Sequence, residues 1–258
     1  MNRHTSGGHD PSRIDDIPTQ WSLLRRAHDD AVSQAGPARQ ALVVRYAHAV
    51  RGYIGAMVTN QADADELSQE VMIKLMRGDF GRADPTRGRF RDLLKAAVRN
   101  LVKSHLGKRQ RRATADYDVE EAAGPNHDDA DPAWDQNWQA AVMDNTWAAL
   151  LEYEKSVPGS VAYVVLKLRA DNPDEDSAKL AARLSEATSR TFSAATARQQ
   201  LHRARLRFAQ LLLEEVSRGL ADPSPDRVAQ ELADLGLLVY VREFLPEDWA
   251  TTGQLRGG

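Results

Sequence analysis

The sequence predicts an all-α protein: two small helical domains joined by an acidic, flexible linker. Three observations carry that prediction. Apolar residues recur at three- and four-residue spacing through most of the chain, the period of a helix with one buried stripe. Aromatics make up only 6% of the 258 residues, against 42% hydrophobic and 28% charged, which argues against a β-sandwich or a disordered chain. A stretch poor in apolar residues, rich in Asp and Glu and broken by Gly124 and Pro125, separates two helical segments. At roughly 150 residues per domain the length allows one or two domains, and the break favours two.

Taken in order, residues 1–18 contain no secretory-type apolar stretch and are expected to be a disordered tail of a chain kept in the cytoplasm. The first domain is expected over 19–112. Leu42, Tyr46, Ala49, Val50, Tyr53, Ile54 and Met57 form one apolar stripe. Asp63 to Arg77 reads as a second helix with Asp63 as N-cap, Glu66 three positions on, Leu67, Val71 and Leu75 inward, and Gly78 as its stop. A loop from Asp79 to Arg89, rich in Gly and Arg and broken by Pro85, leads into a third helix. There Phe90, Leu93, Leu94, Ala97, Val98, Leu101 and Val102 face inward and Arg91, Lys95, Arg99 and Lys103 outward, and the run LGKRQRR follows as a basic tail.

The acidic linker is expected over 113–132 and the second domain over 133–220, anchored by Trp134, Trp138, Val142, Trp147, Leu150 and Leu151. After the helical run VAYVVLKLRA come a short helix capped by Ser177, a connector within Ser185 to Phe192, and a longer helix from Ser193. In that last helix Ala197, Leu201, Ala204, Phe208 and Leu211 lie inward, so a short helix, a turn and a basic second helix make a helix-turn-helix. The extension 221–258 has helical spacing at Val228, Leu232 and Leu235, followed by the apolar stretch LLVYVREFL. Its function is not legible.

The net charge of −3 conceals a segregation of sign. Arg82 to Arg112 carries 11 Lys/Arg against 2 Asp, Thr114 to Glu154 carries 11 Asp/Glu and no Lys or Arg, and Ser177 to Arg218 carries 8 basic against 3 acidic residues. One basic block is commonly a solvated face. Two, flanking an acidic connector, point to a polyanion held at two places.

Other chemistries find little support. There is no cysteine, hence no disulfide, thiolate zinc site or cysteine nucleophile. No apolar run approaches the roughly 18 residues of a membrane helix. Phosphate-binding glycine loops, nucleophile elbows and H-E-x-x-H are missing, so an enzyme is not expected, and neither is a metal or cofactor.

In the first domain Asp63-Ala64-Asp65-Glu66-Leu67-Ser68-Gln69-Glu70-Val71 resembles the D-A-x-D-L-x-Q-E-V signature of bacterial extracytoplasmic-function sigma factors, of the sigma-70 family. Phe90 to Arg112 is similar to that family's following helix, including Arg99-Asn100 and the arginine cluster. In the second domain Thr196-Ala197-Arg198-Gln199-Gln200-Leu201-His202-Arg203-Ala204-Arg205 is similar to its T-V-K-x-x-L-H-R-A-R recognition helix. The chain departs from the pattern at Glu66, where Asp is usual, at Met72, where an aromatic is frequent, at Asp92-Leu93, where Trp-Leu often sits, and in a longer connector.

The resemblance implies a sigma region 2 domain, a sigma region 4 domain and a non-enzymatic role in promoter recognition and transcription initiation. Its implied partners are core RNA polymerase, through the clamp region of the largest subunit, promoter DNA and, where one exists, an anti-sigma protein, with no membrane involved. Asp63, Asp65, Glu66, Gln69 and Glu70 would dock the polymerase. Phe80, Arg82, Asp84, Arg87 and Arg89 belong to a loop that would capture an unstacked base of the −10 element, and Arg91, Lys95, Arg99, Asn100 and Lys103 would hold its backbone and flanking duplex. Phe80 is equally a core anchor. Ser193, Thr196, Arg198, Gln199, His202, Arg203 and Arg205 would engage the −35 element, two or three of them touching bases and Thr196, near the helix start, bonding phosphate. Two other readings stay open: a helix-turn-helix regulator that binds duplex DNA unaided, and a weaker one, a metal-dependent nuclease using Asp63, Glu66 and Glu70.

Overall fold

A computed structural model describes residues 35–77, 79–80, 89–116 and 131–245. The expected N-terminal tail, Gly78, Arg82, Asp84, Pro85, Arg87 and the linker from 117 to 130 lie outside the described residues. Among those described there is no strand, and the fold is all-helical as the periodicity predicts. The helices are α1 (Ala35–Met57), α2 (Gln61–Arg77), α3 (Phe90–Asp116), α4 (Asp131–Ser156), α5 (Ala162–Asp171), α6 (Ser177–Thr188), α7 (Ala194–Arg218) and α8 (Pro225–Asp234). Short 3-10 turns follow at Leu238–Tyr240 and Arg242–Phe244. No helix among the described residues is long and apolar enough to cross a membrane.

The chain divides into two compact units, one comprising residues up to Ala141 together with Val216–Gly236, the other Val142–Glu215 with the residues from Leu237 on. In the first unit the apolar stripe of α1 is buried along its whole length, from Leu42 to Met57, against Leu67, Val71 and Leu75 of α2 and Phe90, Leu94, Val98 and Val102 of α3. Trp134 and Trp138, at the start of α4, complete this core. Trp138 stacks on Tyr46 with ring centroids 4.6 Å apart, and Trp134 meets Tyr53 edge-on at 4.9 Å. Those two tryptophans read from sequence as anchors of a second domain. They sit in the first because α4 begins there, and the close approach of α4 to α1 is possible where Gly52 faces the side chain of Asn137. Helix α8 adds Val228, Ala229 and Leu232, and its C-cap residue Leu235, all buried, to the same unit.

Three helix ends differ from expectation. Asp63 is not the cap of α2: the Asn60 side chain accepts the Asp63 N–H at 3.1 Å, so the helix begins earlier and Asp63 lies in its first turn. The LGKRQRR run is not a tail, since α3 continues through it to Asp116. Helix α6 is capped by Asp176, whose carboxylate accepts the N–H groups of Ala178 and Lys179 at 2.9 Å, rather than by Ser177.

In the second unit α6 and α7 are consecutive helices that bury Leu180 and Leu184 on the first and Ala197, Leu201, Ala204 and Phe208 on the second. Trp147 of α4 packs on Phe208 at 5.0 Å and edge-on to Tyr163 at 5.9 Å. The connector is shorter than it reads. Helix α6 runs through Glu186-Ala187-Thr188, so only Ser189 to Ser193 remain between the helices, with Ser189 in the left-handed conformation at φ 52°.

Candidate nucleic-acid interface

The basic row of α7 is presented openly. Ser193, Thr196, Arg198, Gln199, His202, Arg203 and Arg205 are all exposed, because Ala197, Leu201, Ala204 and Phe208 turn the opposite face of the helix inward. At its start the Ser193 hydroxyl accepts the Thr196 N–H at 3.1 Å and shares a 2.9 Å hydrogen bond with the Thr196 hydroxyl. Ser193 therefore caps the helix and fixes Thr196. The side chain of His202 has a neighbour from the C-terminal segment, the Phe244 ring at 6.1 Å. Sequence reasoning missed Arg190, which reaches back to donate to the Gly159 carbonyl at 3.0 Å and lies 5.1 Å over the Phe192 ring, so it braces the connector.

In the first unit, α3 gathers Lys95, Arg99, Asn100 and Lys103 with Asp92 along one shallow groove of about 400 Å³, the product of residues three and four apart on one helix. Phe80 is half-buried in the turn after α2. A second, larger groove of about 720 Å³ runs between α2 and α3, with Asp63, Glu66, Glu70 and Lys74 on one wall and Asn100, Ser104, His105, Lys108 and Arg109 on the other. Asp63 is engaged there by the Arg109 guanidinium. His105 Nε2 lies 3.6 Å from the same carboxylate, too long for a hydrogen bond. Glu66, Gln69 and Glu70 are exposed, Asp65 is half-buried, and Glu70 pairs with Lys74 at 3.6 Å along α2. Asp63, Glu66 and Glu70 share a groove, but among the described residues no group of three or more metal-ligating side chains converges.

Arg89 and Arg91 behave differently from the rest of the row. Arg91 is buried at 6% exposure, and its Nη1 donates to Asp135 of α4 at 2.8 Å. Its Nε lies 2.8 Å from Glu231 of α8, a charge contact rather than a hydrogen bond because that N–H meets no acceptor in line. Nη2 lies 3.6 Å from Asp234. Arg89, half-buried, bonds Asp92 at 3.2 Å through Nε and both Glu231 and Asp234 through Nη1. Two guanidiniums are thus enclosed by four carboxylates. Nothing in the local spacing of α3 announces this, since three of those carboxylates come from α4 and α8.

The electrostatics follow from burial. For Arg89 the loss of water would lower its pKa, but bonds from Asp234 and the charge of Glu231 outweigh that and raise it. Burial pushes the Glu231 carboxyl above its ordinary range, and the charges of Arg91 and Arg89 only partly offset this. Asp234, less enclosed, loses less to burial than it gains from Arg89 and Gln230 and is held below the usual range.

No curated protein matches the chain. Residues 42–112, which span most of α1, all of α2 and nearly all of α3 including both grooves, match the family model of Sigma-70 region 2, and this match supports a member of the sigma-70 family.

Proposed function

We propose that the chain is a sigma factor of the extracytoplasmic-function type, which joins core RNA polymerase and directs it to promoters through a −10 element held by the first unit and a −35 element read by α7. One observation carries the reading. The segment matched to Sigma-70 region 2 occurs in the same chain as the consecutive helices α6 and α7, the second of which exposes Arg198, Gln199, His202, Arg203 and Arg205. Lys95, Arg99 and Lys103 supply the positive row that phosphate backbone requires, with the Asn100 amide beside them as a neutral donor. Arginine on α7 suits a guanine edge in the major groove, and the capped Thr196 suits a phosphate at the helix start. Glu66, Gln69 and Glu70 form an exposed acidic edge suited to a basic docking surface on the clamp of the largest polymerase subunit.

Run-off transcription with purified core polymerase tests this. The expected result is promoter-dependent transcripts only when the chain is added. Footprinting of DNA by the chain alone, with no stimulation of polymerase, would instead indicate a stand-alone regulator. Glu70→Lys separates the docking role. Glu70 is exposed and its ion pair lies within one helix, so the variant should fold yet bind core polymerase more weakly by a few kcal/mol where the site is desolvated. Unchanged affinity in a folded variant removes that role.

A further inference from the structure

We propose that α8 is an internal mask: Glu231 and Asp234 occupy the guanidiniums of Arg89 and Arg91 that a nucleic-acid phosphate would otherwise take, holding the free chain in a state of reduced DNA affinity. The inference rests on the reading of the first unit as a DNA-binding module. Its own observations are the pairs of Arg89 with Glu231 and Asp234 and the contacts of Arg91 with the same two carboxylates. Carboxylate and phosphate are interchangeable ligands for the guanidinium fork, so one excludes the other from the same donors.

The mask is firmly seated. Val228 and Leu232 are fully buried and Leu235 nearly so, and the Phe90 N–H donates to the Gly219 carbonyl at 3.1 Å, tying the approach to α8 to the start of α3. Asp135 and Asp92 add further negative charge around the same guanidiniums, so the closed cluster repels an incoming phosphate. The second unit has an independent counterpart. There Phe244, in the 3-10 turn ten residues beyond Asp234, lies beside His202 on the exposed row of α7. In each unit, taken separately, the C-terminal segment contacts a residue expected to engage DNA. A ligand displaces such a segment only to the extent that it favours the open state. DNA presented by polymerase, at a high effective concentration beside the unit, has that advantage over a free duplex.

The test uses the full chain and a fluorescein-labelled, mixed-sequence DNA duplex, titrated by anisotropy at several salt concentrations. Glu231→Gln with Asp234→Asn should bind roughly three- to tenfold more tightly, and the log–log salt slope should steepen by about 1 to 2 as the freed guanidiniums meet phosphates. Asp234→Asn alone, which keeps the buried Glu231 contacts, should shift both in the same direction by less, and serves if the double variant fails to fold by circular dichroism. The gain must shrink when Asp234→Asn is made in an Arg89→Ala background, where only the 3.6 Å contact of Asp234 with Arg91 is left to release. A gain of undiminished size there is only the loss of negative charge and overturns the mask, as does unchanged or weaker binding by the α8 variants. Lys103→Ala tests the underlying reading separately. If it weakens binding while the α8 variants do nothing, the mask alone falls; if it leaves binding unchanged, the DNA-binding reading of the unit falls and the mask with it.

Discussion

Arg91 shows how far one side chain's role depends on residues remote in sequence. By spacing it belongs to the outward row of α3, one turn before Lys95, yet it is closed in by Asp135 from α4 and by Glu231 and Asp234 from α8. Glu231 is itself buried, so removing Arg91 leaves that carboxylate to be balanced by Arg89 instead of by two guanidiniums. Arg91→Ala should therefore cost about 3 kcal/mol in urea denaturation, the lower end of the penalty for breaking a buried ion pair. A loss under about 1 kcal/mol would mean that Arg91 is an ordinary exposed cation. Asp63 makes the complementary point. It reads as a cap but lies within α2 and is engaged by Arg109, while Asn60 caps the helix.

At the scale of elements, the start of α5 is held from outside. Val161, at its N-cap position, offers no side-chain bond, and the Glu154 carboxylate of α4 instead accepts the N–H groups of Tyr163 at 2.7 Å and Val164 at 3.1 Å. Glu154→Ala should cost about 1 kcal/mol, the usual value of a lost cap, and hydrogen exchange should report it as faster exchange at those two amides. Exchange unchanged at both would exclude the capping role. The connector between α6 and α7 is shorter than it reads because α6 runs on to Thr188. Ser185 and Thr188 bond the carbonyls of Ala181 and Leu184, and the Ser185 hydroxyl then accepts the Phe192 N–H at 3.0 Å. On α7 the exposed Arg198 and Arg203 are the residues to vary. Alanine at a guanine-reading position should lose roughly 1 to 3 kcal/mol of discrimination at one base pair, whereas a phosphate contact weakens all sequences alike. Binding to a panel of single-base −35 variants distinguishes the two.

For the whole molecule, acidity acts through α8 in two opposed senses. Glu231, facing Arg89, Arg91, Asp92 and Asp234, has a pKa raised by burial in the folded state, so folding favours its protonated form. The stability tied to that preference is present below the unfolded carboxyl range and is lost as pH rises through the raised value. Glu231→Gln should accordingly match the parent chain in thermal stability at low pH and exceed it as pH rises. A gap that narrows instead would reverse the sign assigned to burial. Asp234, held below its ordinary range, works the other way: its contribution is lost as pH falls through the lowered value.

The helical class, the inward stripe of α1, the every-fourth-residue anchors of α2 and the exposed face of α7 were all legible in the sequence. Each is local, set by side chains three and four residues apart on one element, and Leu42 to Met57 is buried as its spacing requires. The polar row Lys95, Arg99, Asn100 and Lys103 was legible for the same reason. Tertiary structure alone decided that Trp134 and Trp138 stack in the first unit, that Glu154 caps a helix nine residues on, and that α8 closes over Arg89 and Arg91. Those outcomes depend on which elements meet. A periodic pattern says that a face must be buried, but only the packed chain determines what covers it, and with it which charges stay exposed and which are spent on one another.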